Sequence, residues 1–291
     1  MASVQYIHVQ GRKVAYWVFG EHAKGIPIVC LHGGPGMPHD YLEPLAELSD
    51  ERPVIFYDQL ACGLSDHVPD VSVLDVSWFT SELELVRQAL GLEQFHLFGH
   101  SWGGWLALQY TLDFQPTLAS LTICSSPASA RDFVLGCAEL RAQLPPDIDG
   151  VLRAYEELQD YRHPIYQKAV QEFYFRHFCR LRPWPDVVSR SLEKMSVEVY
   201  MHMWGPAEFG PVDGVLKDWS VETRVREIQV PALVVCGRYD EARPSYMSRL
   251  ASGLSGPVEF HVFENSSHLA FWEDKDNFLR VLRSFLRQWD P

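Results

Sequence analysis

Long apolar runs are missing from this chain. No stretch of about 18 apolar residues occurs, so no helix is expected to span a membrane. Basic residues are scarce: 25 Lys and Arg face 38 Asp and Glu, a formal net charge of −13. A phosphate backbone needs a basic stripe, and none is visible, so nucleic acid is not an expected partner. Cysteine is sparse too, with six in 291 residues. That is no disulfide framework. Cys30, Cys124 and Cys236 sit in apolar runs and read as buried thiols, while Cys62, Cys137 and Cys179 show no C-x-x-C spacing. Neither zinc nor a redox pair is supported. Among 12 histidines there is no H-E-x-x-H or comparable ligand cluster, so no metal or organic cofactor is expected. The opening residues MASVQYIHVQGRKV alternate polar and apolar and lack the apolar middle of a signal peptide. The cytoplasm is the default expectation. Internal repeats and low-complexity tracts are absent as well.

What is present is a rhythm. Hydrophobic residues make up 47% and charged residues 22%, enough apolar material for a sizeable core. Short apolar runs alternate with amphipathic stretches, the pattern of a mostly parallel sheet flanked by helices. Strands are expected near 3–9 and 12–19, joined at Gln10-Gly11-Arg12 as a hairpin, and then at PIVCLH, PVIFYD, FHLFGH, SLTICS, ALVVCG and VEFHVF. Helical segments are expected near 39–49, 75–91, 102–114, 244–254 and 275–288. Their apolar residues recur three and four apart, as at Leu83, Leu85, Val86 and Leu90. Residues 127–218 break the rhythm: no strand pattern appears and the periodicity is helical throughout. The spacing predicts an α/β core in two parts, 1–126 and 219–291, with an all-helical cap over 127–218 inserted between them.

Gly99-His100-Ser101-Trp102-Gly103, followed by Gly104, joins the FHLFGH strand to an amphipathic helix. That strand–turn–helix context is what G-x-S-x-G requires, because the turn is sharp and the flanking residues must be small. A serine hydroxyl needs a base, and the base needs an oriented acid. Asp240 lies just beyond the ALVVCG strand and His268 just beyond VEFHVF, in the order Ser, Asp, His and at the carboxyl ends of strands. His32-Gly33-Gly34-Pro35-Gly36 follows the PIVCLH strand, and a backbone N–H from such a loop can meet a developing oxyanion. The N–H of Trp102, next to the serine, is the second expected donor. The loop fits neither G-x-G-x-x-G nor a P-loop, so phosphate binding is disfavoured.

H-G-G-P-G, then Tyr57-Asp58-Gln59 leading to Gly63 and Ser65, then G-H-S-W-G-G, resemble the proline iminopeptidases, and the tricorn-interacting archaeal type most closely. The resemblance extends through HPIYQKAVQEFY, MHMWGPAEF, GRYDE and SSHLAFWED. It implies an α/β-hydrolase fold and a serine aminopeptidase that releases an N-terminal residue, preferentially proline, from short peptides. It assigns Ser101 as nucleophile, Asp240 as acid, His268 as base, and Gly34 and Trp102 as oxyanion donors. Glu208 and Glu241 match the carboxylates that hold the substrate's free amino terminus. Two carboxylates suit a prolyl ammonium with its two N–H donors. The expected partners are short peptides with a free amino terminus, and the expected state is a monomer or small homo-oligomer. An amino-acid amidase or carboxylesterase on the same triad is the alternative, and a non-catalytic small-molecule receptor is the alternative of another class. Ala61 stands where the family often has glycine, which would strain it if φ is positive. Cys62 in that loop is expected near the site, where bulky thiol reagents would inhibit by obstruction. Trp184, Trp204, Phe173, Phe175 and Phe209 are candidates for an apolar pocket wall, most of them serving as packing between cap helices.

Overall fold

The structure, a computed structural model, describes residues 2–209 and 212–290. β1 (Gln5–Val9) and β2 (Arg12–Phe19) form the expected antiparallel hairpin. Its turn holds Gln10 at φ 51° and Gly11 at φ 77°, as a two-residue turn that follows strand twist requires. Six further strands are β3 (Ile28–Leu31), β4 (Val54–Tyr57), β5 (Phe95–His100), β6 (Leu118–Cys124), β7 (Ala232–Gly237) and β8 (Val258–Phe263). They assemble in the order β1-β2-β4-β3-β5-β6-β7-β8. The pairs β1–β2 and β2–β4 are antiparallel, and all others are parallel.

Side chains alternate through this sheet, and the alternation builds two cores. Val29 and Leu31, with Val234 and Cys236, face one side, where α1 (Val76–Ala89) and α2 (Trp102–Phe114) contribute Phe79, Leu83, Leu106 and Tyr110. Ile28 and Cys30, with Leu233 and Val235, face the other side. There they meet Leu45 and Leu48 of the 39–50 segment and residues of the last helix. The central strands are therefore apolar without interruption, as a sheet covered on both faces demands. Segment His39–Asp50 is a 3-10 helix; Pro44 lies inside it and has no N–H to sustain an α-helical ladder.

Between β6 and β7 the described residues contain no strand but five α-helices: α3 (Ala130–Arg141), α4 (Pro146–Glu157), α5 (Pro164–His177), α6 (Asp186–Glu193) and α7 (Val197–Met203). Their starts are written locally. Ser129 accepts from the Asp132 N–H, and α4 and α5 carry proline in their first turn, where no amide partner is lost. The chain ends with α8 (Pro244–Gly253), α9 (Ala270–Glu273) and α10 (Lys275–Gln288). Beyond α10, the Asp290 carboxylate accepts from Arg52 at 3.0 and 2.9 Å and from His96 Nε2 at 3.2 Å, tying the chain end to β5. No helix among the described residues is long and apolar enough to cross a membrane.

Candidate active site

β5 runs into α2 through Ser101, which sits at φ 55°, ψ −125°. A serine rarely adopts that geometry, and it persists where the surroundings over-determine it. They do so here. A Cβ on Gly99 would lie 2.2 Å from the Gly103 carbonyl oxygen, one on Gly103 would lie 2.3 Å from that of Leu31, and one on Gly104 would lie 2.1 Å from Ser126 Oγ. The Ser101 N–H donates to the Cys124 carbonyl at 3.0 Å, and Ser126 Oγ donates to the Ser101 carbonyl at 2.7 Å. The elbow is thus locked from both neighbouring strands.

Asp240 and His268 meet where β7 and β8 end. Asp240 is fully buried; its Oδ1 accepts from His268 Nδ1 at 2.8 Å and from the Ala242 N–H at 2.8 Å. The other imidazole nitrogen, Nε2, has Glu241 Oε1 at 3.6 Å. No hydrogen bond among the described residues joins it to the Ser101 hydroxyl, an arrangement common before substrate tightens a site. Ser101, His268, Gly34, Glu208 and Glu241 all border one cavity of about 660 Å³, roofed by α5 and α7. The structure therefore brings together the residues expected from sequence. Asp240, buried behind His268, and Trp102 are absent from the lining of that cavity, but Trp102 borders a second, smaller void together with Ser101 and Glu208.

Burial raises both glutamates above the usual carboxylate range, with the Tyr200 hydroxyl, which donates to Glu208 Oε2, opposing the shift at Glu208. Burial also pulls His268 down, yet Asp240, Glu241 and Glu208 outweigh it and carry the imidazole to about 9. The Trp204 indole N–H reaches the Ala207 carbonyl at 3.1 Å and the Glu208 carbonyl at 3.2 Å, fixing the loop that carries Glu208.

Gly34 has φ 112°, and a Cβ there would fall 2.6 Å from the Gly36 nitrogen. Only glycine fits that turn. Neither the Gly34 nor the Trp102 N–H has a protein acceptor among the described residues. The neighbouring Gly33 N–H is taken, donating to Tyr41 Oη at 2.7 Å. Tyr41 then donates to His100 Nδ1 at 2.8 Å, which leaves His100 Nε2–H to donate to the His268 carbonyl at 3.0 Å. Burial holds His100 well below the ordinary imidazole value, so it stays neutral. This relay joins the glycine loop, the elbow and His268 through the side chains of Tyr41 and His100. His100 lay inside the G-x-S-x-G motif, and Tyr41 and Tyr200 had no sequence signal. Gln59 acts similarly, accepting from Trp102 Nε1 at 2.8 Å while its N–H donates to His32 Nε2 at 3.0 Å.

One expectation is revised. Cys62 is 2% exposed, does not border the cavity, and has its thiol pushed far up by burial, so obstruction of the site through this residue has no structural basis. Of the cap aromatics, Trp184 and Phe209 border the cavity. Phe173 and Phe175 pack behind them, 4.5 Å from Phe209 and 5.5 Å from Trp184 between ring centroids, and Trp204 walls the smaller void. Ala61 does adopt φ 63°, the strained conformation its position implied. Among the described residues no group of three His, Cys, Asp or Glu side chains is arranged to hold a metal.

The strand order with its serine elbow defines the class: a serine hydrolase on the α/β-hydrolase fold. The family model described by that fold matches residues 26–275. The chain is 37% identical over 286 residues to the proline iminopeptidase of Saccharolobus solfataricus, spanning 97% of this chain and 92% of that one. The crystal structure of proline iminopeptidase from Mycobacterium smegmatis superposes with a TM-score of 0.91 at 38% identity, covering 99% of this chain and 98% of that one. That of VinJ gives a TM-score of 0.94 at 36% identity, covering 99% of both. The chain belongs to the proline iminopeptidase family of α/β-hydrolase-fold serine peptidases.

Proposed function

We propose that this enzyme removes an N-terminal residue, preferentially proline, from short peptides through an acyl-enzyme. Ser101 attacks the first carbonyl as His268 Nε2 takes its proton, with Asp240 holding the imidazole on Nδ1. The Gly34 and Trp102 N–H groups receive the oxyanion; His268 then protonates the leaving amine, and water completes the hydrolysis. Residues 127–218 are the cap, and 1–126 with 219–291 the hydrolase core. The observation that carries the reading is the pair Glu208 and Glu241, both bordering the cavity beside His268. Glu241 Oε2 is buried with no partner, an energetic debt that a cationic amino terminus would settle and an internal amide would not. Six unpaired cysteines, all buried, favour a reducing compartment such as the cytoplasm.

A panel of aminoacyl-naphthylamides assayed with wild type, Ser101→Ala and Glu208→Ala tests the proposal. Ser101→Ala should abolish turnover, and Glu208→Ala should raise KM for the prolyl substrate by about tenfold or more, the cost of one charge-assisted hydrogen bond. Equal efficiency on free and N-acetylated prolyl substrates would refute the amine clamp.

A further inference from the structure

The imidazole of His268 has a carboxylate beside each of its two nitrogens. Asp240 holds Nδ1 at 2.8 Å, as the reaction requires. Glu241 stands 3.6 Å from Nε2, the nitrogen that must accept the serine proton, and both residues are at most 2% exposed. Its second oxygen, Oε2, has no partner, whereas Glu208 has the Tyr200 hydroxyl. The other groups around the ring offer Glu241 no positive charge. His100 from β5 is neutral and committed to Tyr41 and the His268 carbonyl. From α5, His177 holds its Nδ1 at 2.8 Å from the Tyr239 carbonyl and is lowered by burial, and Tyr174 keeps its proton. From α3, Cys137 is a buried thiol. Arg176 and Arg180 act on His177 only at a distance, and Arg162, the one arginine that borders the cavity among the described residues, sits at its exposed mouth.

We propose that Glu241 is a substrate-operated switch on the base: in the empty site its carboxylate keeps a proton on His268 Nε2, and a docking cationic amino terminus takes over that carboxylate and frees Nε2 for Ser101. The inference rests on the amine clamp proposed above. The proton balance is simple. The substrate ammonium keeps both its protons; the Nε2–H bond of the imidazolium breaks, and the proton leaves to water through the open cavity. A ligand without a cation leaves the base occupied. Selection for a free amino terminus thus acts on the chemical step as well as on binding, through a positioning residue that need not touch the scissile bond.

The test reads the base with a reagent that has no amine. Sulfonylation of Ser101 by methanesulfonyl fluoride is followed from pH 5.5 to 10. It is run in wild type and Glu241→Gln, each with and without pyrrolidinium at concentrations set by its competition with prolyl-naphthylamide. In wild type the rate should rise through a midpoint near 9, where Asp240, Glu241 and Glu208 together carry His268. Pyrrolidinium should lower that midpoint by at least about one unit, a gain of roughly tenfold at pH 7. Glu241→Gln should start with the lowered midpoint and ignore pyrrolidinium. Equal midpoints in the two enzymes, or a wild-type midpoint unmoved by bound pyrrolidinium, overturn the switch. If Glu241→Gln raises KM for prolyl-naphthylamide while the sulfonylation midpoint stays put, the clamp stands and the switch falls. If free and N-acetylated prolyl substrates are cleaved alike, both fall.

Discussion

Ser101 at φ 55° carries strain of roughly 1–3 kcal/mol, and close glycine packing on both flanks keeps it in place. Gly104→Ala would push a methyl group into Ser126, whose hydroxyl holds the Ser101 carbonyl. The expected outcome is a large fall in kcat with KM for prolyl-naphthylamide little changed, because the hydroxyl is re-aimed and the glutamates are not. At Gly34, alanine would meet both a forbidden φ and the Gly36 amide, displacing the N–H proposed to receive the oxyanion. Removal of one such donor lowers kcat about 10²–10³-fold, and steady-state kinetics of Gly34→Ala should show that loss. Ala61, at φ 63°, is the opposite case: glycine should relieve it. Ala61→Gly is expected to stabilise by about 0.5–1 kcal/mol in urea unfolding, since relief of left-handed strain exceeds the added chain entropy. Cys62 should resist bulky thiol reagents in the folded enzyme, with labelling tracking unfolding rather than inhibition.

At the scale of elements, cap and core meet through aromatic rings. Trp204 at the end of α7 lies 5.7 Å from Trp105 of α2 and 5.6 Å edge-on from Phe133 of α3, and its indole N–H holds the Glu208 loop. The helix bearing the serine and the loop bearing one glutamate are thereby in register. Trp204→Phe keeps the rings and removes the N–H. It should cost about 1–2 kcal/mol of stability and raise KM for amine-bearing substrates more than for an uncharged ester. An unchanged ratio of the two KM values would show that the indole does not position Glu208. The sequence pattern of 127–218 showed helices and no strands, and the structure agrees. It did not show which helix face meets α2, because helical periodicity marks a buried side without naming what covers it.

For the molecule as a whole, pH acts on two separate groups of residues. In the site, kcat/KM for a prolyl substrate should be bell-shaped, with its optimum between an α-amino value of about 8 and the His268 value of about 9. An uncharged ester should show only the rising limb of His268. Away from the site, burial lowers His96 and His32 to about 4, against about 6.5 in the unfolded chain. Both bind protons more readily when unfolded. Their contribution is therefore complete above pH 6.5 and lost as pH falls toward 4. Urea midpoints should drop across that window, and His96→Asn, which also releases Asp290, should lower stability at pH 7 while flattening the dependence.

The sequence by itself determined the eight strands and the helical insertion, because alternating burial in a covered sheet and three-to-four spacing in helices are local and periodic. It also pointed to Ser101, Asp240 and His268 as a candidate group, since their places are set by strand ends, and to Gly34 and Gly99, since backbone conformation and close approach admit only glycine there. Segment 39–50 is helical as expected, and its 3-10 form follows from Pro44, which favours tighter turns that periodicity does not distinguish. Only the tertiary structure decided that Tyr41 and His100 join the glycine loop to His268, that Tyr200 takes Glu208, and that Cys62 is buried and does not border the cavity. It also decided that Glu241 faces the reactive nitrogen of His268 at 3.6 Å, although Asp240, its neighbour in the chain, takes the other nitrogen. Hydrogen bonds between residues far apart in the chain leave no periodic trace, and the charge on a buried group depends on neighbours that only folding supplies.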